Sequence, residues 1–184
     1  MTTVGHSIMG LALGTAFLPR GLSKWSGAGF LVLMAAMACL PDWRVPFNRH
    51  LFKYHYHHSL LVNCIILAAI AGTMAIAGRL KSRRGWLVVA AISAAVLSHL
   101  LMDSFYSHAQ GVQIGWPLGS YRLTLPIPWL HVQKQIGSFD WFHNRIRLME
   151  ILTFGPLLAL TIIVRKLILR RAKGRRNDGR LMES

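Results

Sequence analysis

The stretch WLVVAAISAAVLSHLLMD, Trp86 to Asp103, decides the fold. From Trp86 to Met102 it carries no Asp, Glu, Lys or Arg, and its polar side chains are confined to Ser93, Ser98 and His99. An apolar run of about 20 residues, with some tolerance below that, crosses the hydrocarbon core of a bilayer as an α-helix. Inside that core every backbone polar group must be satisfied within the segment, which a helix achieves and a lone strand does not. Arg79, Lys81, Arg83 and Arg84 precede the run and Asp103 closes it. The stretch therefore predicts a membrane helix with one basic end and one end bearing a histidine and a carboxylate.

Four more apolar runs lie outward from it. Ser59 to Ala77 and Met149 to Leu169 are of spanning length, the second interrupted by Gly155-Pro156. Thr3 to Leu18 and Gly27 to Leu40 are shorter. Their Gly5, Gly10, Gly14, Ala35, Ala36 and Ala38 suit close approach between helices, and Gly10-x-x-x-Gly14 has the small-x-x-x-small spacing. The 184-residue chain is 53% hydrophobic and 15% charged, with positive mean hydropathy, which excludes an ordinary soluble domain. The expected fold is all-α: a polytopic transmembrane helical bundle of about five spans, one domain over residues 1–171. Residues 104–148, between the fourth and fifth spans, are too long for a bare connection and too apolar for disorder. They are expected to fold back as a lid, with a short surface helix near Phe139 to Arg147. Residues 172–184 read as a disordered basic tail. Cys39 and Cys64 read as buried thiols with no disulfide framework. The first run has no basic region before it and no small-residue cleavage motif after it, so it is expected to be retained.

The formal charge of +15 arises from 21 basic and 6 acidic residues. Most of the basic residues sit in the turn Arg79 to Arg84 and in the tail from Arg165 to Arg180, beside apolar runs. Such clusters belong on the cytoplasmic side. Both are satisfied together if the N-terminus is outside and the C-terminus cytoplasmic. Pro41 to His58 and the lid then lie on the outer face. This distribution makes membrane lipids the expected partners, and no nucleic acid is expected.

On that topology none of the 9 histidines falls in a cytoplasmic segment. Four carboxylates, Asp42, Asp103, Asp140 and Glu150, are on or near the outer side. His99-x-x-x-Asp103 places an imidazole and a carboxylate on one helical face, a pairing suited to zinc and related divalent ions. Taken alone, the pair reads more readily as a hydrogen-bonded fastening of helix ends than as a metal site. His58 stands at the start of a span, after His55 and His57, which read as interfacial. Ser59 is either the N-cap of that span or a donor to a substrate. Asp42 follows Pro41 at the end of a span. His6, one turn into the first span, should face the bundle because a polar side chain is costly in lipid.

Gly5-His6, Leu40-Pro41-Asp42, His58-Ser59-Leu60, and His99-Leu100-Leu101-Met102-Asp103 with Gly111 and Trp116-Pro117-Leu118 resemble the YdjM-type bacterial inner-membrane proteins. The resemblance covers residues 5 to 118. Those proteins are described as membrane-bound metal-dependent hydrolases. Where they carry His-Arg-x-x-Thr-His-Ser, this chain has Lys53, Tyr54 and His57 in place of the first His, the Arg and the Thr. The resemblance implies His6, Asp42, His58, His99 and Asp103 as metal ligands or catalytic groups, with a divalent ion, zinc foremost, as cofactor. It implies a location in a bacterial inner membrane.

The expected activity is metal-dependent hydrolysis at the outer leaflet, with a lipid-linked ester as substrate and a phosphoester favoured. Asp42 or Asp103 would act as general base, and Ser59 would contribute at the site. Arg44, Arg49, Arg122 and Arg145 are candidates to contact a phosphate. A metal or proton transporter would use the same ligands but needs polar groups continuing to the cytoplasmic side; the spans supply few, Thr15, Asn63, Thr73, Ser93 and Thr161 among them, and no charge at mid-membrane. A non-enzymatic membrane scaffold with a structural metal is the third reading.

Overall fold

The computed structural model describes residues 1–43, 57–105, 111–125 and 141–181, with side chains described for 144–172 of the last segment. Among the described residues five α-helices form: α1 Thr3–Phe17, α2 Lys24–Cys39, α3 Leu60–Ile76, α4 Arg83–Asp103 and α5 Trp141–Leu181. Four of them begin at a Ser or Thr whose hydroxyl accepts a hydrogen bond from the first turn. These are Thr2 for α1, Ser23 for α2, Ser59 for α3 and Ser82 for α4. Such a cap satisfies a backbone donor that the helix leaves orphaned. Gly78, at a left-handed φ of 67°, makes the turn from α3 to α4.

The all-α bundle is as expected, and the chain spans a membrane. Lys24–Asp42, Arg83–Asp103 and Asn144–Ala172 are long and apolar enough to cross one, while Thr3–Phe17 and Leu60–Ile76 are shorter apolar helices. The interior is narrow and filled with small side chains. Ala38, Ala91, Ala95, Val96 and Met34 are sealed from solvent, flanked by Phe30 and Ile92. Large apolar residues such as Val32, Ile65, Leu152 and Ile163 face outward. That inversion suits a surface bathed in hydrocarbon, where helices associate through close packing of small residues. Cys39 is buried, but Cys64 is on the exposed side of α3, contrary to its expected burial.

The short α1 is the hub. It packs on α2, α4 and α5, whereas α3 leans on α4. Gly10 makes this possible, since a Cβ there would come within 2.5 Å of the Met34 carbonyl oxygen. Residues 111–125 lie across the start of α3 and the end of α4. The Val112 and Leu123 backbones pair in an isolated antiparallel bridge. Leu60 N donates to Ile114 O at 3.1 Å and Leu125 N to Ser104 O at 2.9 Å.

Among the described residues near Phe139 to Arg147 there is no separate surface helix. From Trp141 the chain belongs to α5, a single helix of 41 residues with Pro156 inside it. Between Trp141 and Phe154 no Gly or Pro interrupts the run, so nothing divides an interfacial helix from the span. The helix also continues to Leu181, into the stretch whose charge suggests no regular structure. Arg, Lys, Leu and Ala there are all good helix formers.

Candidate metal centre

Each member of the His and Asp cluster is set by a helix end. His6 is in the first turn of α1. Asp42 closes a 3-10 turn, Leu40–Asp42, that ends α2 with Pro41 near its start. His58 directly precedes the Ser59 cap of α3. His99 and Asp103 share one face of the last turns of α4.

These five side chains meet. Asp103 Oδ2 is 3.2 Å from His58 Nε2 and 3.4 Å from His99 Nε2, and Oδ1 is 3.3 Å from His6 Nε2. Asp42 Oδ1 is 3.5 Å from His58 Nε2 and 3.6 Å from His99 Nε2. The Nε2 atoms of His58 and His99 are 3.2 Å apart. His6 stacks on His99 with ring centroids 3.6 Å apart, and its Nε2 lies 3.8 Å from Asp42 Oδ2. The Met1 amino group is 2.5 Å from Asp103 Oδ1. His6, His58, His99 and Asp103 are buried, while the Asp42 side chain is 30% exposed and forms the open side.

The donor set fits a divalent cation. Asp42, His58, His99 and Asp103 each offer one ligand atom, all within 4.8 Å of one another. Ligands about 2.0–2.1 Å from one zinc ion at tetrahedral angles are about 3.3–3.4 Å apart. The separations among these four, 3.2 to 3.6 Å for the pairs given above, centre on that value. His99 Nδ1 lies 2.7 Å from the Ala38 carbonyl, which only accepts, so Nδ1 carries the proton. In the neutral ring Nε2 then turns a lone pair toward the carboxylates, the usual orientation of a metal-binding imidazole. His6 Nε2 is buried with no hydrogen bond among the described residues. The Met1 amino group supplies one positive charge at Asp103 Oδ1, and a divalent ion would supply charge on the other side, between Asp103 Oδ2 and Asp42 Oδ1, where the imidazole nitrogens converge.

Ser59 is not part of the cluster. Its Oγ accepts from Val62 N at 3.4 Å, and its hydroxyl proton goes to the Trp116 carbonyl. It is the cap of α3 and a tether for the loop that crosses it. His57 is half-buried, and burial with the adjacent His58 lowers its pKa. His50, His55, His108, His131, Arg44, Arg49 and Asp140 lie outside the described residues, as do the side chains of His143 and Trp141. Arg122 reaches Gln113 at 3.4 Å, and Arg145 is exposed.

Two further residues shape the site. Asn63, buried in α3, donates to the carbonyls of His57 at 2.7 Å and Ser59 at 2.8 Å, fixing the backbone on either side of His58. Glu150 of α5 is fully buried over the start of α1. It accepts from Thr2 N at 2.7 Å, from Gly5 N at 3.0 Å and from the Thr2 hydroxyl. A carboxylate suits the positive end of a helix. Gly5 leaves the room, because a Cβ there would come within 2.9 Å of the carboxylate. The signal for both residues was a lone polar side chain inside an apolar run, which must face a partner.

Over residues 1–171 the chain matches the family described as YdjM inner membrane protein. No curated protein and no solved structure matches it significantly.

Proposed function

The chain belongs to the YdjM inner membrane protein family, and from that premise we propose that it is a membrane-bound metal-dependent hydrolase acting on a lipid-linked phosphoester. The observation that carries the reading is the convergence of His58, His99, Asp103 and Asp42 within 4.8 Å. His58, His99 and Asp103 would hold a divalent ion, zinc foremost, with the more exposed Asp42 beside the open fourth position and His6 stacked behind His99. When bound, the ion would lower the pKa of a water and polarise the scissile group.

The residues divide the remaining work. Asp103, buried with three imidazole nitrogens and the Met1 amino group around its carboxylate, suits a ligand role. Asp42 is the most accessible member and ends a helix rather than lying within one, so it can take a proton from an attacking water as general base. His99, held by the Ala38 carbonyl, fixes the direction of approach. Arg145, with Arg122, Arg44 and Arg49, would neutralise the phosphate by charge-assisted contacts. With the arginine-rich end of the bundle in the cytoplasm, the cluster opens to the outer leaflet, where lipid headgroups are the most concentrated anions.

Metal content of the purified protein, paired with phosphate release from phospholipids and polyprenyl phosphates, tests the proposal. Wild type should retain zinc or a similar ion and lose turnover on chelation. Asp103→Asn should stay folded in membranes but lack both metal and activity. Equal release by the two proteins would remove hydrolysis at this site. Retained metal with no release from any substrate would leave a structural ion.

A further inference from the structure

A second polar feature lies at the other end of the bundle. A cavity of about 660 Å³ opens between the C-terminal end of α1, the first turns of α4 and the middle of α5. Arg20, Arg83, Arg84 and Arg165 line it, and among the described residues no carboxylate does. Its remaining wall is largely apolar, with Phe17, Leu87 and Ile168 drawn from three helices. On α4, Arg83 and His99 are separated by 16 residues of helix, about 24 Å at 1.5 Å per residue. The cavity is therefore remote from the His and Asp cluster.

Charge is sorted between the two ends. The carboxylates with described side chains, Asp42, Asp103 and Glu150, all belong to the cluster end. Among the described residues nothing acidic faces the four guanidinium groups, and grouping like charges beside apolar walls is unfavourable without a counter-ion. Arg165 is fixed there rather than free to spread into water. It donates to the carbonyls of Thr15 at 2.9 Å and Leu18 at 2.6 Å, which lie at the negative end of α1. The first turn of α4 adds the positive end of its dipole to the same space.

We propose that this cavity binds the phosphate of an anionic phospholipid, with the acyl chains lying along the apolar wall. Guanidinium groups pair with phosphate in bidentate fashion, and basic pockets between membrane helices suit anionic headgroups. The volume falls in the range of about 300–1,000 Å³ typical of ligand sites. An inorganic phosphate would use the same arginines but would leave Phe17, Leu87 and Ile168 without a function in binding.

Native mass spectrometry of the full chain in neutral detergent, with equal phosphatidylglycerol and phosphatidylcholine, provides the test. Wild type should retain phosphatidylglycerol preferentially. The double variant Arg83→Gln, Arg84→Gln should lose that preference by about tenfold per charge-assisted contact removed. Its metal content should be unchanged, because the cluster is at the far end. Leu87→Trp keeps every arginine but fills the apolar wall, and should also weaken retention; it decides the matter if the double variant fails to fold. Equal retention of the two lipids by wild type, or undiminished phosphatidylglycerol on both variants, would overturn the proposal. Displacement of the lipid by millimolar inorganic phosphate would overturn it too, since the acyl chains would then contribute nothing.

Discussion

His6 owes its place in the cluster to Glu150 and Gly5. Glu150 pins the Thr2 and Gly5 N–H groups, and Gly5 makes room for the carboxylate. Gly5→Ala should force Glu150 back and leave buried donors unpaired, costing about 1–3 kcal/mol. The gain in helix propensity, up to about 1 kcal/mol, offsets only part of that. The thermal midpoint in detergent should fall, and metal retention with it; an unchanged midpoint would show that Glu150 does not hold α1. The histidines add a pH dependence. An imidazole binds a cation only when unprotonated, so acidification should release metal and returning to neutral pH should restore it. Retention measured by equilibrium dialysis should decline as pH falls, and a flat profile would exclude histidine ligation. At this scale the sequence is informative. The five ligand candidates stand out as polar residues at the ends of apolar runs. The roles of Glu150 and Asn63 are hidden there because they depend on which helices adjoin, which a single span's pattern does not encode.

Helix contacts turn on glycines of unequal importance. At Gly10 a Cβ would strike backbone, 2.5 Å from Met34 O and 2.8 Å from Ala35 Cα. At Gly14 the nearest atoms belong to the Met34 and Leu31 side chains, at 3.0 and 3.1 Å. Side chains can give way where backbone cannot. Gly10→Ala should therefore push α1 from α2 and destabilise by about 1–3 kcal/mol. Gly14→Ala should cost much less, with the helix-propensity gain of about 1 kcal/mol working against the strain. Midpoints of heat-induced aggregation for the two variants check the order, and a reversed order would show that α1 and α2 are not packed through Gly10. Because Ala38 of α2 carries the carbonyl that orients His99, Gly10→Ala should also lower metal retention. The small-residue spacing is visible in the sequence, but its partner helix is not. The start of α5 escapes the sequence for a related reason: polar residues in its first turns look interfacial, yet a helix needs no apolar face to continue once begun.

Across the whole molecule the two ends carry opposite chemistry, and that polarity bears on orientation in the membrane. Moving the arginine end through the bilayer would carry Arg79, Lys81, Arg83, Arg84 and the basic part of α5 across it. Each Lys or Arg costs about 2.5–3.5 kcal/mol at the centre of a membrane helix. The cluster end has few such residues among those described, so it is the end expected to cross during insertion. The 24 Å of α4 between Arg83 and His99, at about 1.5 Å per residue, falls short of a hydrocarbon core about 30 Å thick. With the arginines at the inner interface, the cluster would lie recessed below the outer headgroups and beneath residues 111–125. A soluble substrate would have to leave water to reach it, whereas a lipid-borne one is already anchored in the bilayer beside it and has only the short descent of its headgroup to make. Reporter fusions at Gln113 and after Ser184 measure the polarity directly. They should report opposite sides, with Ser184 cytoplasmic. A common side for both would place the loop over the cluster in the same compartment as the tail. The lipid-linked substrate of the outer leaflet would then have no path to Asp42.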